Sequence, residues 1–329
     1  MRTVFITLGL ISMCTLQAAG ADLRVGLIGL DTSHVIAFTK SLNDPSGPDF
    51  VPGGRVVAAF KGGSPDIKAS AGRVDKFTAE LQEKYKIKVV DSIPELCSMV
   101  DVILLESVDG RVHLEQARQV IRSKKPLFID KPMAASYADA KEIARLARES
   151  GVPWFSSSSL RYTPAYQEAA TDTSAGKILG AETYGPASLE PTNPGLFWYG
   201  IHAVESLFTL MGPGCVSVTM TSNEDFDLAV GVWKDGRIGT VKGLRKGKED
   251  YGALVYREKG ISHLPAKDVS YVPLIRQIMG FFKTGISPVP EQETLEIFAF
   301  MEAADESKRQ QGKPVKLKTV LKEARQARK

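Results

Sequence analysis

Between residues 23 and 147, short apolar runs alternate with stretches of helical spacing, and this alternation limits the possible fold more than any other feature of the chain. Residues 23–28, 56–60, 88–90, 102–105 and 127–129 read as strands, being short, rich in Val, Ile and Leu, and bounded by glycine or charge. Helical spacing follows through Val35, Ile36, Phe38 and Leu42. It returns over residues 77–85, 93–99 and 114–121, and then through Ala140, Ile143, Ala144 and Ala147. Strands separated by helices pair in parallel, because each crossover carries the chain back to the same end of the sheet. A doubly wound parallel sheet is expected, with ligands held beyond the C-terminal ends of its strands.

A length of 329 residues suits two domains. The expected division falls at residue 150, into one domain over residues 22–150 and a second over 151–329. Residues 1–21 read as a cleavable leader: Arg2, an apolar run over residues 4–16, and the small residues Ala19, Gly20 and Ala21. The run is short for a membrane span, so export to the periplasm or beyond is expected, with no stable span after cleavage. Two cysteines then remain, Cys97 and Cys215, which allow one disulfide but no stapled scaffold. A net charge of +4, with its only basic concentration over residues 313–329, reads as a solvated face and not as a nucleic-acid surface.

Three places carry chemistry. Strand 23–28 runs into Gly29, and Asp31, Thr32, Ser33 and His34 open the following helix. Such a turn presents unpaired N–H groups and the helix dipole to a pyrophosphate. Only the first glycine of G-x-G-x-x-G survives; Asp31 and His34 replace the other two. A side chain at 31 hinders close approach and its charge repels a diphosphate, and Asp31 could equally cap the helix. After strand 56–60, Lys61 stands where an NAD site wants an acid, which suits a 2′-phosphate and so NADP, or is a solvated loop lysine. Asp130 and Lys131 end strand 127–129, and Pro132 holds Lys131 out of the next helix.

Together these segments resemble the glucose–fructose oxidoreductase / inositol dehydrogenase (Gfo/Idh/MocA) family. Asp130-Lys131-Pro132 matches its Glu-Lys-Pro junction with Asp for Glu, and residues 113–117, led by His113, are similar to the helix after its fourth strand. Residues 161–165 resemble its Arg-aromatic-x-Pro-Ala segment, and residues 200–205 its Gly-x-His helix. The resemblance implies a Rossmann-type parallel sheet in a dinucleotide-binding domain over residues 22–150, followed by a substrate and oligomerisation α/β domain over 151–329 with an open, mainly antiparallel sheet, and a homo-oligomer as the assembled form. It implies Lys131 and His202 as catalytic residues, Lys131 stabilising an alkoxide and His202 exchanging a proton. Gly29, Asp31, Thr32, Ser33, His34, Lys61, Ser107, His113 and Asp130 would line the cofactor; Arg161, Tyr162, Trp198 and Tyr199 would touch substrate. Other readings stay open: His202 as a core residue beside Val204, Leu207 and Phe208, Arg161 in an ion pair, Trp198 and Tyr199 as packing. Trp198 also stands where the family often carries an Asp four residues before the helix histidine. The histidines and cysteines show no metal-ligand spacing.

The leading expectation is an exported NAD(P)-dependent oxidoreductase acting on a sugar or cyclitol hydroxyl. A redox-assisted glycosidase or lyase with retained cofactor, and a cofactor-free carbohydrate-binding protein, are the alternatives. Fold resemblance does not choose among them.

Overall fold

The computed structural model describes residues 21–266 and 269–326. The leader assignment, apart from Ala21, therefore lies outside the described residues. The first sheet is built from β1 (Leu23–Ile28), β2 (Gly54–Phe60), β3 (Lys88–Val90), β4 (Val102–Leu105), β5 (Leu127–Ile129) and β6 (Trp154–Ser156). All its pairings are parallel, in the order β3-β2-β1-β4-β5-β6. The crossovers carry α1 (His34–Asn43), α2 (Lys68–Ala71), α3 (Val74–Tyr85), α4 (Ile93–Met99), α5 (Gly110–Arg122) and α6 (Tyr137–Ser150). Local chemistry sets their ends. Ser92 and Ser136 cap α4 and α6 by accepting from the N–H groups of Glu95 and Asp139, and Gly151 closes α6 in the left-handed conformation.

Strand residues divide by parity between two cores. Ile28, Ile103, Leu105, Leu127 and Ile129 face α4, α5 and α6, while Val25, Leu27, Val102, Leu104 and Phe128 face Phe38 of α1. A two-residue side-chain period requires this, since both faces of a parallel sheet are covered.

The second half contains α7 (Pro164–Thr171), β7 (Ile178–Pro186), α8 (Gly195–Trp198), α9 (Ile201–Met211), β8 (Cys215–Ser222), β9 (Phe226–Trp233), β10 (Ile238–Leu244), β11 (Gly252–Arg257) and β12 (Gly260–Pro265). It ends with α10 (Val272–Thr284), α11 (Glu291–Arg309), β13 (Val315–Lys316) and α12 (Leu317–Gln326). Its sheet runs β12-β11-β7-β10-β9-β8-β13; only β7 and β10 pair in parallel. Helices α9 and α11 pack on one face. On the other, Leu228, Val232 and Ile238 are exposed.

The expected division at residue 150 is crossed twice. Strand β6 extends the first sheet. Helix α10 returns to that sheet's α1 side and buries Leu274, Ile275, Ile278, Met279, Phe281 and Phe282 there. Each such side chain is worth ~1.5–3 kcal/mol when fully buried, so α10 belongs energetically to the first domain. Cys97 and Cys215 are buried free thiols, and the disulfide that composition allows does not form. No described helix is long and apolar enough to cross a membrane.

The turn after β1 has no slack. Gly29 lies at φ 84°, and a Cβ there would sit 2.5 Å from the backbone of Ser107. Gly29→Ala is expected to lower stability by at least the ~1–3 kcal/mol of left-handed strain. A urea midpoint equal to wild type would mean that the turn relaxes freely.

Candidate active site

Strand order reverses between β1 and β4, and the loops beyond that reversal form a crevice. Gly29 N–H donates to Phe60 O at 3.0 Å, so the β1 turn lies directly against the end of β2. Gly62 and Gly63 follow there, both at positive φ, and a Cβ on Gly62 would meet Gly29 Cα at 3.2 Å. Asp31 does not cap α1. Ser33 holds the N-cap position without a side-chain cap bond. Asp31 is fully buried instead; Oδ1 accepts from Val108 N–H at 3.0 Å and Oδ2 from Ser70 Oγ at 2.6 Å. The charge expected to repel a diphosphate is thus turned into the protein and satisfied there. Thr32 Oγ1 accepts from His34 N–H at 3.4 Å, Ser33 is exposed, and Lys61 reaches Asp75 Oδ1 at 2.6 Å on the surface.

Ser107 and His113 are scaffolding. Ser107 Oγ donates to Gln116 Oε1 at 2.9 Å. The His113 ring lies between two carbonyls, Nε2 at 2.7 Å from Ser107 O and Nδ1 at 3.2 Å from Met133 O. Burial lowers its pKa. His113 therefore ties the β4–α5 loop to the turn after β5, and a direct cofactor contact is not what its geometry serves.

Three side chains converge at the ends of β4 and β5. His34 Nδ1 lies 2.6 Å from Asp130 Oδ2 and 3.9 Å from Glu106 Oε2. Both carboxylates are buried, yet they titrate apart. Burial, and then the neighbouring charge of Asp130, push Glu106 well above the usual carboxylate range. Burial pushes Asp130 up too, but His34 and Lys131 outweigh it and hold its carboxyl below that range. Glu106 is not among the site residues expected from sequence. Its signal was a charged residue directly after four apolar strand residues, at the sheet edge where ligands sit.

Lys131 and His202 arrive from different domains and meet around one ring. Lys131 Nζ stands 5.3 Å from the centroid of Tyr199, and the His202 ring 5.4 Å from it, edge-on. Tyr251 contacts the His202 ring at 5.7 Å, and Tyr271 packs on His34 at 4.6 Å; neither had a sequence signal, since both precede or follow unremarkable loops. Ser158 Oγ accepts from Leu160 N–H at 3.1 Å and lies 2.7 Å from His202 Nδ1. That leaves Nε2 as the ring atom able to meet a substrate. Burial, and then the positive charges of Lys131 and His34, lower the His202 pKa well below 6.5. Its imidazole is neutral at pH 7.

Residues 23–157 match the model of the Gfo/Idh/MocA family, described as an oxidoreductase family with an NAD-binding Rossmann fold. Over this first domain the chain is similar to that family. A 1,5-anhydro-D-fructose reductase of Ensifer adhaerens is 31% identical over 108 residues, 32% of each chain. The chain thus matches about a third of the length of that curated relative. Among solved structures, myo-inositol 2-dehydrogenase from Lactobacillus plantarum superposes with a TM-score of 0.75 at 15% identity, covering 90% of this chain and 99% of that one. A probable dehydrogenase from Thermotoga maritima gives 0.73 at 19%, covering 90% and 100%. An oxidoreductase from Agrobacterium radiobacter, in complex with NAD+, L-tartaric acid and magnesium, gives 0.71 at 15%, covering 91% and 99%. At such identities the structural likenesses speak for the fold.

The family's Arg-aromatic segment does not reach substrate here through its arginine. Arg161 is buried, with Nε 2.9 Å from Glu205 Oε1 and Nη2 2.7 Å from Glu293 Oε1. Glu205 also accepts from Ser157 Oγ at 2.6 Å and Ser158 N–H at 2.8 Å. Ser157 and Ser158 are spent holding this carboxylate, and Ser158 also meets His202. Arg161 is therefore an internal ion-pair residue, with Tyr162 part-buried beside it and Trp198 half-buried at the end of α8. Of the expected substrate contacts, Tyr199 alone joins Lys131 and His202.

Two outcomes check this geometry. Arg161→Met strands two buried carboxylates and should cost ~3–5 kcal/mol in urea unfolding; wild-type stability would return Arg161 to a surface role. Side-chain NMR should place the His202 midpoint well below 6.5, and Lys131→Met should raise it by removing a cation. The native ring takes its proton at lower pH than the unfolded chain. Its contribution to stability is therefore complete above about pH 6.5 and is lost as pH falls below that. A midpoint unmoved by Lys131→Met would mean that the ammonium does not act on the ring.

Proposed function

We propose that this protein is an NAD(P)-dependent oxidoreductase acting on a hydroxyl of a sugar or cyclitol. The observation that carries this reading is the meeting of Lys131 and His202, from the two domains, on the ring of Tyr199. A dinucleotide fits the residues present. The exposed Ser33 at the start of α1 and the partly exposed glycines at 62 and 63 beside the β1 turn put little side-chain bulk in the way of a diphosphate, and the Asp31 charge is buried and paired. Support for the substrate class comes from the relatives, whose names include an anhydrofructose reductase and inositol dehydrogenases. A preference for NADP rests on Lys61, whose pairing with Asp75 subtracts from the charge a 2′-phosphate would meet. The exposed apolar residues on the open face of the second sheet support self-association.

When bound, the nicotinamide supplies the hydride acceptor or donor; the protein's part is the proton and the charge. In alcohol oxidation the hydroxyl proton passes to His202 Nε2, with Ser158 orienting the ring from Nδ1. Negative charge grows on the substrate oxygen as its proton leaves, and Lys131 stabilises that charge more in the transition state than in the ground state. Because His202 binds a proton weakly, it surrenders it readily for the next turnover. Export by the leader over residues 1–21 is part of the proposal. Outside the cytoplasm there is no free cofactor pool, so the dinucleotide must be retained and recycled.

Denaturing the purified protein should release NAD(P), identified by absorbance and mass. Lys131→Met should lower kcat ~10²–10³-fold, the usual cost of one preorganised donor, while substrate affinity falls only modestly. Sugar binding without turnover in the wild type, and no released dinucleotide, would establish a binding protein instead.

A further inference from the structure

The mechanism above leaves unexplained the acid pair at the ends of β4 and β5. One donor atom from each of His34, Glu106 and Asp130 lies within 4.8 Å of the others. Glu106 is fully buried, and neither of its carboxylate oxygens has a hydrogen-bond partner; nor does Asp130 Oδ1. Three buried acceptor oxygens thus crowd one imidazole with no donor to satisfy them. Leaving one buried acceptor unpaired commonly costs ~1–3 kcal/mol, more when it is charged. A proton on Glu106 would supply a single donor. Lys131, the adjacent cation, is directed over the Tyr199 ring.

We propose that His34 Nδ1, Glu106 and Asp130 bind one divalent transition-metal ion. An imidazole with two carboxylates is a donor set for zinc, manganese, iron or cobalt. Donor–metal distances of ~2.0–2.2 Å around a tetrahedral ion set neighbouring donors ~3.4 Å apart. The separations of 2.6 Å and 3.9 Å from His34 Nδ1 straddle that value, so small side-chain rotations close the site. The ligands stand on rigid supports. Glu106 N–H donates to Ile28 O at 2.7 Å and Asp130 N–H to Leu105 O at 2.8 Å, which pins the backbone of both residues to the sheet. The His34 ring is stacked on Phe38 and edged by Tyr271. Three protein ligands leave coordination positions for water or for the vicinal hydroxyls of a polyol, which a metal polarises.

The full chain, stripped with a chelator and dialysed, should be titrated with Mn2+ by electron paramagnetic resonance and with Zn2+ by calorimetry. One ion per chain is expected, and Co2+ should bring visible d–d absorption that Zn2+ displaces. Glu106→Gln and His34→Gln should each weaken binding at least tenfold, with circular dichroism confirming that the variants fold. Should one of them fail to fold, the other carries the same test. No saturable binding by the wild type would overturn the proposal and leave the site as a protonated acid pair. Binding unchanged in a folded variant would overturn it by placing the ion elsewhere.

Discussion

The reversal of strand order between β1 and β4 is the constraint on which the rest of this structure depends. Parallel strands deliver their C-terminal ends to one edge, and the reversal opens that edge into a crevice where adjoining crossovers leave in opposite directions. His34, Glu106 and the adjacent pair Asp130 and Lys131 are far apart in sequence but all lie at this edge. Their proximity needs no further device. The same edge receives the Gly29 turn, whose contact with Ser107 leaves no room for a Cβ, so the crevice floor is set by backbone packing.

Burial then gives these groups their chemistry. Out of water, two neighbouring carboxylates cannot both ionise cheaply. Glu106 is pushed up, while the cations beside Asp130 hold that residue down. His202 is kept neutral by the same low-dielectric surroundings and by Lys131. Across the domain junction, Glu205 is treated differently: Arg161, Ser157 and Ser158 N–H satisfy it completely enough to make it a support. One buried acid carries the scaffold, and another is left without partners. Unsatisfied burial of that kind is expensive, and it points to a role other than packing.

Helix α10 adds a mechanical condition. It leaves the second domain and closes the apolar α1 face of the first sheet. Just before it, Tyr271 edges His34. The site is therefore bounded by residues from both halves of the chain, and the first sheet is complete only when the C-terminal region has folded onto it. Deleting that region would uncover the large apolar surface now shared by Phe38, Phe128, Phe155 and Phe281.

Much of this was legible in the residues themselves. Alternating strand and helix patterns specify a parallel sheet because backbone pairing and side-chain period are local properties. Placing Asp130 and Lys131 at a strand end followed from that pattern, as did the helix carrying His202. The buried pairings of Asp31 and Arg161 could not be read locally for one reason: both depend on partners, Val108, Ser70, Glu205 and Glu293, that lie 39 or more positions away. No metal-ligand spacing was visible because His34, Glu106 and Asp130 stand at the ends of three separate elements. The return of α10 was equally hidden, since an amphipathic helix shows that it has an apolar face but not which sheet it covers. The sequence by itself determined the elements and the edge on which chemistry would lie. Only the tertiary structure decided which charges face one another there, because burial and charge pairing act through space and not along the chain.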